Sequence, residues 1–272
     1  MGMLDAAGAR IEAAAAAKPE DGELARLRGV FALRKGDDET AEEMFKRAVE
    51  LAPENLLAYE QLASLYQRTG RLEETTATYR AAIEERPDSA RLQHLLAVLY
   101  EMDGKTAEAM AGYEKAIALD DAMAQSKNNL AYLIAESGGD LDRALDLAQE
   151  AKAMMPGSPN ASDTLGWVLY HRGIPSAAVG YLREALAGME AGAPETGMVR
   201  HHLALAYEAN DQKDLAIEAL ELSISEFEEQ QKGQPAASPP AWLRDTRETL
   251  QRLKSGSQSG AVSQNRTAQG SL

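Results

Sequence analysis

Apolar and small residues return along this chain every three or four positions, in stretches of about a dozen residues. RGVFALRK, residues 28 to 35, and EEMFKRAVEL, residues 42 to 51, are one such pair. The period is that of a helix buried along one stripe, not the alternation of a strand. Short polar turns such as RTGRLEE and EMDGKTAE separate the stretches, and each holds a glycine able to adopt the left-handed conformation that ends a helix. The pattern predicts an all-α protein of antiparallel helical hairpins.

The hairpins recur at a spacing of 34 residues. Gly29, Gly36, Ala41, Phe45, Ala48 and Pro53 set a frame, which Ala63, Gly70, Thr75, Tyr79, Ala82 and Pro87 refill. Ala97, Gly104, Ala109, Tyr113, Ala116 and Asp121 follow. One residue is gained in AESGGDLD, after which Ala144, Ala148, Ala151 and Pro156 resume the frame. Leu165, Gly166, Gly173, Ala178, Leu182 and Ala185 form a fifth unit. Leu203, Ala204, Tyr207, Asp211, Ala216 and Leu220 form a sixth, after an insertion around GAPET. The units span about 22–55, 56–89, 90–123, 124–158, 159–192 and 197–230. The small residue in each first helix lets two helix axes approach, the aromatic or leucine in the second fills the gap, and proline helps to stop the second helix. One hairpin cannot bury its apolar face alone, so stacking must supply the core.

This frame resembles the tetratricopeptide repeat (TPR) family, whose members stack helix pairs into a right-handed superhelix. The resemblance implies an α-solenoid with a concave groove lined by the first helix of each repeat. Residues 128 to 173, with the NNLA start, the inserted-glycine turn and DTLGWVLY, further resemble the C-terminal repeats of long bacterial TPR proteins. These include TPR lipoproteins of exopolysaccharide and exosortase-type systems. That likeness implies a role in envelope, secretion or exopolysaccharide assembly.

The ends depart from the frame. Ala7, Ile11, Ala14 and Pro19 lie 34 residues before Ala41, Phe45, Ala48 and Pro53, so residues 1–20 read as the second helix of a truncated repeat. The array thus starts mid-repeat, as a piece of a longer solenoid or as a half-repeat cap. Residues 231–239 read as a linker rich in proline, glycine and serine. Residues 240–254, with Trp242, Leu243, Leu250 and Leu253 on one side, read as a capping helix. Residues 255–272 are polar and read as a disordered tail.

Composition narrows the function. A net charge of −15 disfavours nucleic acid as a partner and suits a basic one. With no cysteine there is no disulfide and no thiol chemistry. No apolar run reaches the ~18 residues of a membrane span, so no membrane insertion is expected of a chain that reads as soluble. Its setting would be the bacterial cytoplasm, or the periplasm and envelope as part of a longer protein. No catalytic constellation, metal site or cofactor is expected. Glu42-Glu43 and Glu228-Glu229 read as solvated faces. His201 and His202 are adjacent, so they point about 100° apart on a helix and do not easily share a metal.

SPNASDTLGWVLYHRG, residues 158 to 173, gathers a tryptophan, a tyrosine, a histidine and an aspartate. Asp163, Trp167 and Tyr170 are spaced by four and three and share a helix face. On the groove side the frame places Arg91, His94, Gln125, Asn128, Tyr132, Asn160, Asp163, Trp167, Tyr170 and His201. Amides can pair with an extended peptide backbone, and Trp and Tyr offer rigid contact area. The lysine-rich clamp with which chaperone adaptors hold a C-terminal carboxylate is not expected, because Glu60, Ser64 and His94 fill its slots and Arg91 is the one cation there. The chain reads as a non-enzymatic scaffold binding a peptide or protein segment in its groove. The alternative is a structural module that self-associates through its open N-terminal end.

Overall fold

The computed structural model describes the backbone of residues 2–190, 192–232 and 239–268, and the side chains of residues 6–190, 192–232 and 239–255. Among the described residues there are fourteen helices and no strand. The chain divides into two compact units, Met1–Met123 and Ala124–Leu272.

The first unit opens with α1 (Gly2–Ala17) and continues as three hairpins. These are α2 (Gly22–Lys35) with α3 (Asp38–Leu51), α4 (Leu56–Arg68) with α5 (Leu72–Glu85), and α6 (Ala90–Met102) with α7 (Thr106–Leu119). The second unit holds α8 (Ala124–Glu136) with α9 (Leu141–Met154), α10 (Pro159–His171) with α11 (Pro175–Gly188), and α12 (Thr196–Ala209) with α13 (Lys213–Gln230). It ends with α14 (Ala241–Ala268).

Local chemistry sets the boundaries. Asp21, Asp37, Ser89, Asp140 and Ser158 each accept a hydrogen bond from a first-turn amide, satisfying donors that the helix leaves open. The turn glycines at 36, 70, 104, 138 and 173 all have positive φ. The sixth hairpin has Asp211 in that slot, held at φ 58°.

Each hairpin closes on a small residue. A Cβ on Gly29 would stand 2.6 Å from the Phe45 ring, and one on Gly166 would stand 2.7 Å from Leu182 Cγ. Phe45 and Leu182 are completely buried as a result. Cores run on between neighbouring hairpins: Phe45 joins Leu62, Leu65 and Tyr66, and Tyr79 joins Leu92, Leu96 and Leu99. The all-α repeat fold read from the hydrophobic pattern is the one that forms.

At the end of the second unit α14 packs on both α12 and α13. Leu253 joins Ala204, Ala216 and Leu220, while Leu243 and Thr246 are buried. Ion pairs from Lys254 to Glu221 (2.6 Å) and from Arg247 to Glu228 (3.1 Å) frame this contact. Residues 233–238 of the expected linker and 269–272 of the expected tail lie outside the described residues. The capping helix expected to end at 254 instead continues to Ala268, where the polar sequence pointed to disorder. No proline interrupts residues 241–268, although Gly256 and Gly260 lower the helix propensity of the last stretch.

Candidate functional site

In the second unit the first helices of the hairpins, α8, α10 and α12, lie side by side, and α14 takes the next place beside α12. A cavity of about 540 Å³ opens between them. From α8 it is lined by Tyr132 and Glu136, and from α10 by Trp167, Tyr170 and His171. From α12 come Met198, His201, His202 and Leu205, and from α14 Trp242, Asp245 and Thr249.

The floor is a bonded aromatic stack. His202 lies parallel to the Trp167 indole with ring centroids 4.0 Å apart, and its Nδ1 is 2.9 Å from Asp163 Oδ1. Tyr170 also stacks on Trp167, at 5.0 Å, and His171 meets it edge-on at 4.5 Å. The indole Nε1 donates to Glu136 Oε1 at 2.6 Å. Trp167 is thus fixed by α8, α10 and α12 together and is only 6% exposed.

A second chain of bonds ties α12 to α14. His201 Nδ1 is 2.8 Å from Thr246 Oγ1, and that hydroxyl donates to the Trp242 carbonyl at 2.7 Å. A hydroxyl has one hydrogen, so the imidazole donates from Nδ1 and keeps Nε2 as an acceptor. Burial lowers the His201 pKa from 6.5 to about 4, so the ring is neutral near pH 7. Burial also holds His171 below its ordinary value, partly offset by the nearby Glu136 carboxylate. The Tyr170 hydroxyl is pushed up, chiefly by burial and then by Glu208.

Three family models described as tetratricopeptide repeat match residues 1–55, 32–99, and 90–122 with 199–229. The chain belongs to the tetratricopeptide repeat family. Its fold is similar to that of a tetratricopeptide repeat protein from Parabacteroides merdae, with a TM-score of 0.64 at 18% identity over 92% of this chain and 93% of that one. It is similar also to PilW, a type IV pilus biogenesis factor, with a TM-score of 0.58 at 19% identity over 82% of this chain and 97% of that one. YrrB, a TPR protein with an unusual peptide-binding site, gives 0.56 at 17% identity over 74% of this chain and 97% of that one. No curated protein matches the chain.

Within this TPR array the groove residues read from sequence fall into separate groups. Arg91 and His94 belong to the first unit, on α6. Arg91 is exposed and paired with Glu60 at 2.9 Å, and the His94 ring lies 5.6 Å from Tyr113. Gln125 and Asn160 are exposed in the first turns of α8 and α10. Tyr132, Trp167, Tyr170 and His201 line the cavity, and Asp163 lies buried beneath it on His202.

Asn128 and Trp167 are both largely buried. Asn128 is 8% exposed and is not among the residues lining the cavity; its Nδ2 donates to Asn129 Oδ1 at 3.3 Å, and its buried Oδ1 has no hydrogen-bond partner among the described residues. Trp167 lines the cavity with His202 and Tyr170 stacked on it and Glu136 holding its N–H. Glu136, His202, Trp242, Asp245 and Thr249 are site residues that the sequence frame passed over. Glu136 could have been found, since it stands one helical turn beyond Tyr132. His202 could not, because α12 is covered by α10 on one side and α14 on the other. Adjacent residues about 100° apart can then each meet a different neighbour: His202 meets Asp163, and His201 meets Thr246.

Among the described residues no group of three or more His, Asp or Glu could hold a metal ion. No described helix is long and apolar enough to cross a membrane.

Proposed function

We propose that this protein is a non-enzymatic scaffold that holds a segment of a partner protein in the cavity between α8, α10, α12 and α14. One observation carries this reading. The cavity is walled by four helices, and its two buried histidines and Glu136 are already bonded in structural roles. His202 is on Asp163, His201 is on Thr246, and Glu136 is on Trp167. The Thr246–His201 pair has the chemistry of a nucleophile with its base, but Thr246 is completely buried and its hydrogen is engaged by Trp242. What the cavity offers instead is preorganised apolar and aromatic contact, which favours binding by lowering its entropic cost. TPR proteins are in general scaffolds of this kind. The resemblance of residues 128 to 173 is the ground for proposing a setting in bacterial envelope, secretion or exopolysaccharide assembly.

Site-specific photocrosslinking in the native host tests this. A benzophenone side chain at Tyr132 or Thr249, inside the cavity, should capture a polypeptide. One at Leu222, exposed on α13, should not. Capture from Leu222 alone would place binding on the outer helices and contradict the proposal.

A further inference from the structure

We infer that the second-unit cavity seats a cationic side chain, lysine or arginine, of the bound segment. The inference rests on the groove-binding reading above and gives its ligand a chemistry.

The charge of the walls is one-sided. The lining includes two carboxylates, Glu136 from α8 and Asp245 from α14, and neither a lysine nor an arginine. Burial keeps His201 and His171 from supplying a compensating positive charge near pH 7. Glu136 uses Oε1 to accept from Trp167, leaving Oε2 for another donor. Asp245 meets Arg244 at 3.3 Å, but both are exposed neighbours on one helix, a pair of little energetic weight. Arg252, the cation beside Tyr170, has its Nη2 2.8 Å from Glu208 and so is engaged outside the cavity.

Tyr132, Tyr170 and Trp242 contribute π systems, whose faces attract cations. Met198 and Leu205 offer apolar surface for the methylene stem that lysine and arginine both carry. An acidic or phosphorylated segment would face two carboxylates without a counter-charge. The chain's net charge of −15 draws a basic partner at longer range.

The larger cavity of the first unit, about 680 Å³, is a useful contrast. Its charges are mixed and paired, with Arg28 on Glu12 at 3.0 Å and Arg47 on Glu20 at 2.9 Å. It therefore shows no preference for either sign, and the second-unit cavity does.

Selection of a random nonapeptide library on the full chain tests the inference. The chain's two tryptophans, Trp167 and Trp242, both line the cavity, so intrinsic fluorescence reports its occupancy. Selected peptides should share one position enriched in lysine or arginine. Replacing that residue with citrulline or norleucine should weaken binding about tenfold or more. The double variant Glu136→Gln with Asp245→Asn, which keeps an acceptor for Trp167, should lose the enrichment while retaining the wild-type melting temperature. If peptides whose binding depends on Tyr132 and Leu205 show no basic position, the cation inference fails and the groove reading stands. If no selected peptide is sensitive to Tyr132→Ala or Leu205→Ala, both fail.

Discussion

The His202 imidazole lies flat on the Trp167 indole, 4.0 Å between ring centroids, and bonds the Asp163 carboxylate at 2.9 Å. This ties α12 to α10 beneath the cavity. Removing the ring with His202→Ala strands a buried carboxylate and uncovers the indole. The expected cost is about 3 kcal/mol, read as a lower urea midpoint at an unchanged m-value. A loss below about 0.5 kcal/mol would mean that the stack does not hold the site together.

His201 gives a pH signature. Its pKa is about 4 in the folded protein and near 6.5 when unfolded. Between those values the unfolded chain binds more protons, so stability rises with pH across that window. Above about pH 6.5 the contribution is complete, and it is lost as pH falls toward 4. A pKa difference of this size corresponds to about 3 kcal/mol. His94 and His171 are also shifted downward and add to the trend in the same sense. Denaturation curves between pH 4 and 7 should therefore be flatter for His201→Gln than for the wild type. Equal slopes would remove His201 from the account.

Two glycines in the fifth hairpin should respond oppositely to alanine. At Gly166 the new Cβ would meet Leu182 Cγ at 2.7 Å and the Ala178 carbonyl at 3.2 Å. The overpacking should cost about 1–3 kcal/mol. At Gly180 nothing lies within 4 Å, so the alanine should gain up to about 1 kcal/mol of helix propensity. Thermal melts of the two variants should move in opposite directions, and a shift of the same sign in both would contradict the packing described.

Asp211 carries the strain that glycine avoids in the other turns, at φ 58°. Asp211→Gly should raise the melting temperature by the equivalent of about 0.5–1 kcal/mol, after the entropy that glycine adds to the unfolded chain. An unchanged or lower melting temperature would show that the Asp211 side chain offsets its backbone cost.

The fold was legible because its rule is local and repeated. A small residue such as Gly166 and a large one such as Leu182, at fixed offsets, are enough to align two helices. Part of the site was legible for the same reason: Asp163, Trp167 and Tyr170 share a face by spacing alone. The rest depends on which helices become neighbours. His202 is a wall residue only because α10 covers that side of α12, and Trp242, Asp245 and Thr249 line the cavity only because α14 lies alongside α12. A cap of apolar stripe and polar back gives no sign in sequence that its flank will face a groove. Asn128 shows the reverse: spacing placed it on the groove side of α8, and the packing of neighbouring helices leaves it buried.

The central claim is that α8, α10, α12 and α14 form the binding surface. Hydrogen exchange measured by mass spectrometry on the full chain, free and saturated with a library-selected peptide, tests it most directly. Slower exchange is expected in the α14 segment around 241–249 and at the cavity-facing ends of α8, α10 and α12, with α9, α11 and α13 unchanged. Protection confined to α9, α11 and α13, or to the first unit, would contradict the account.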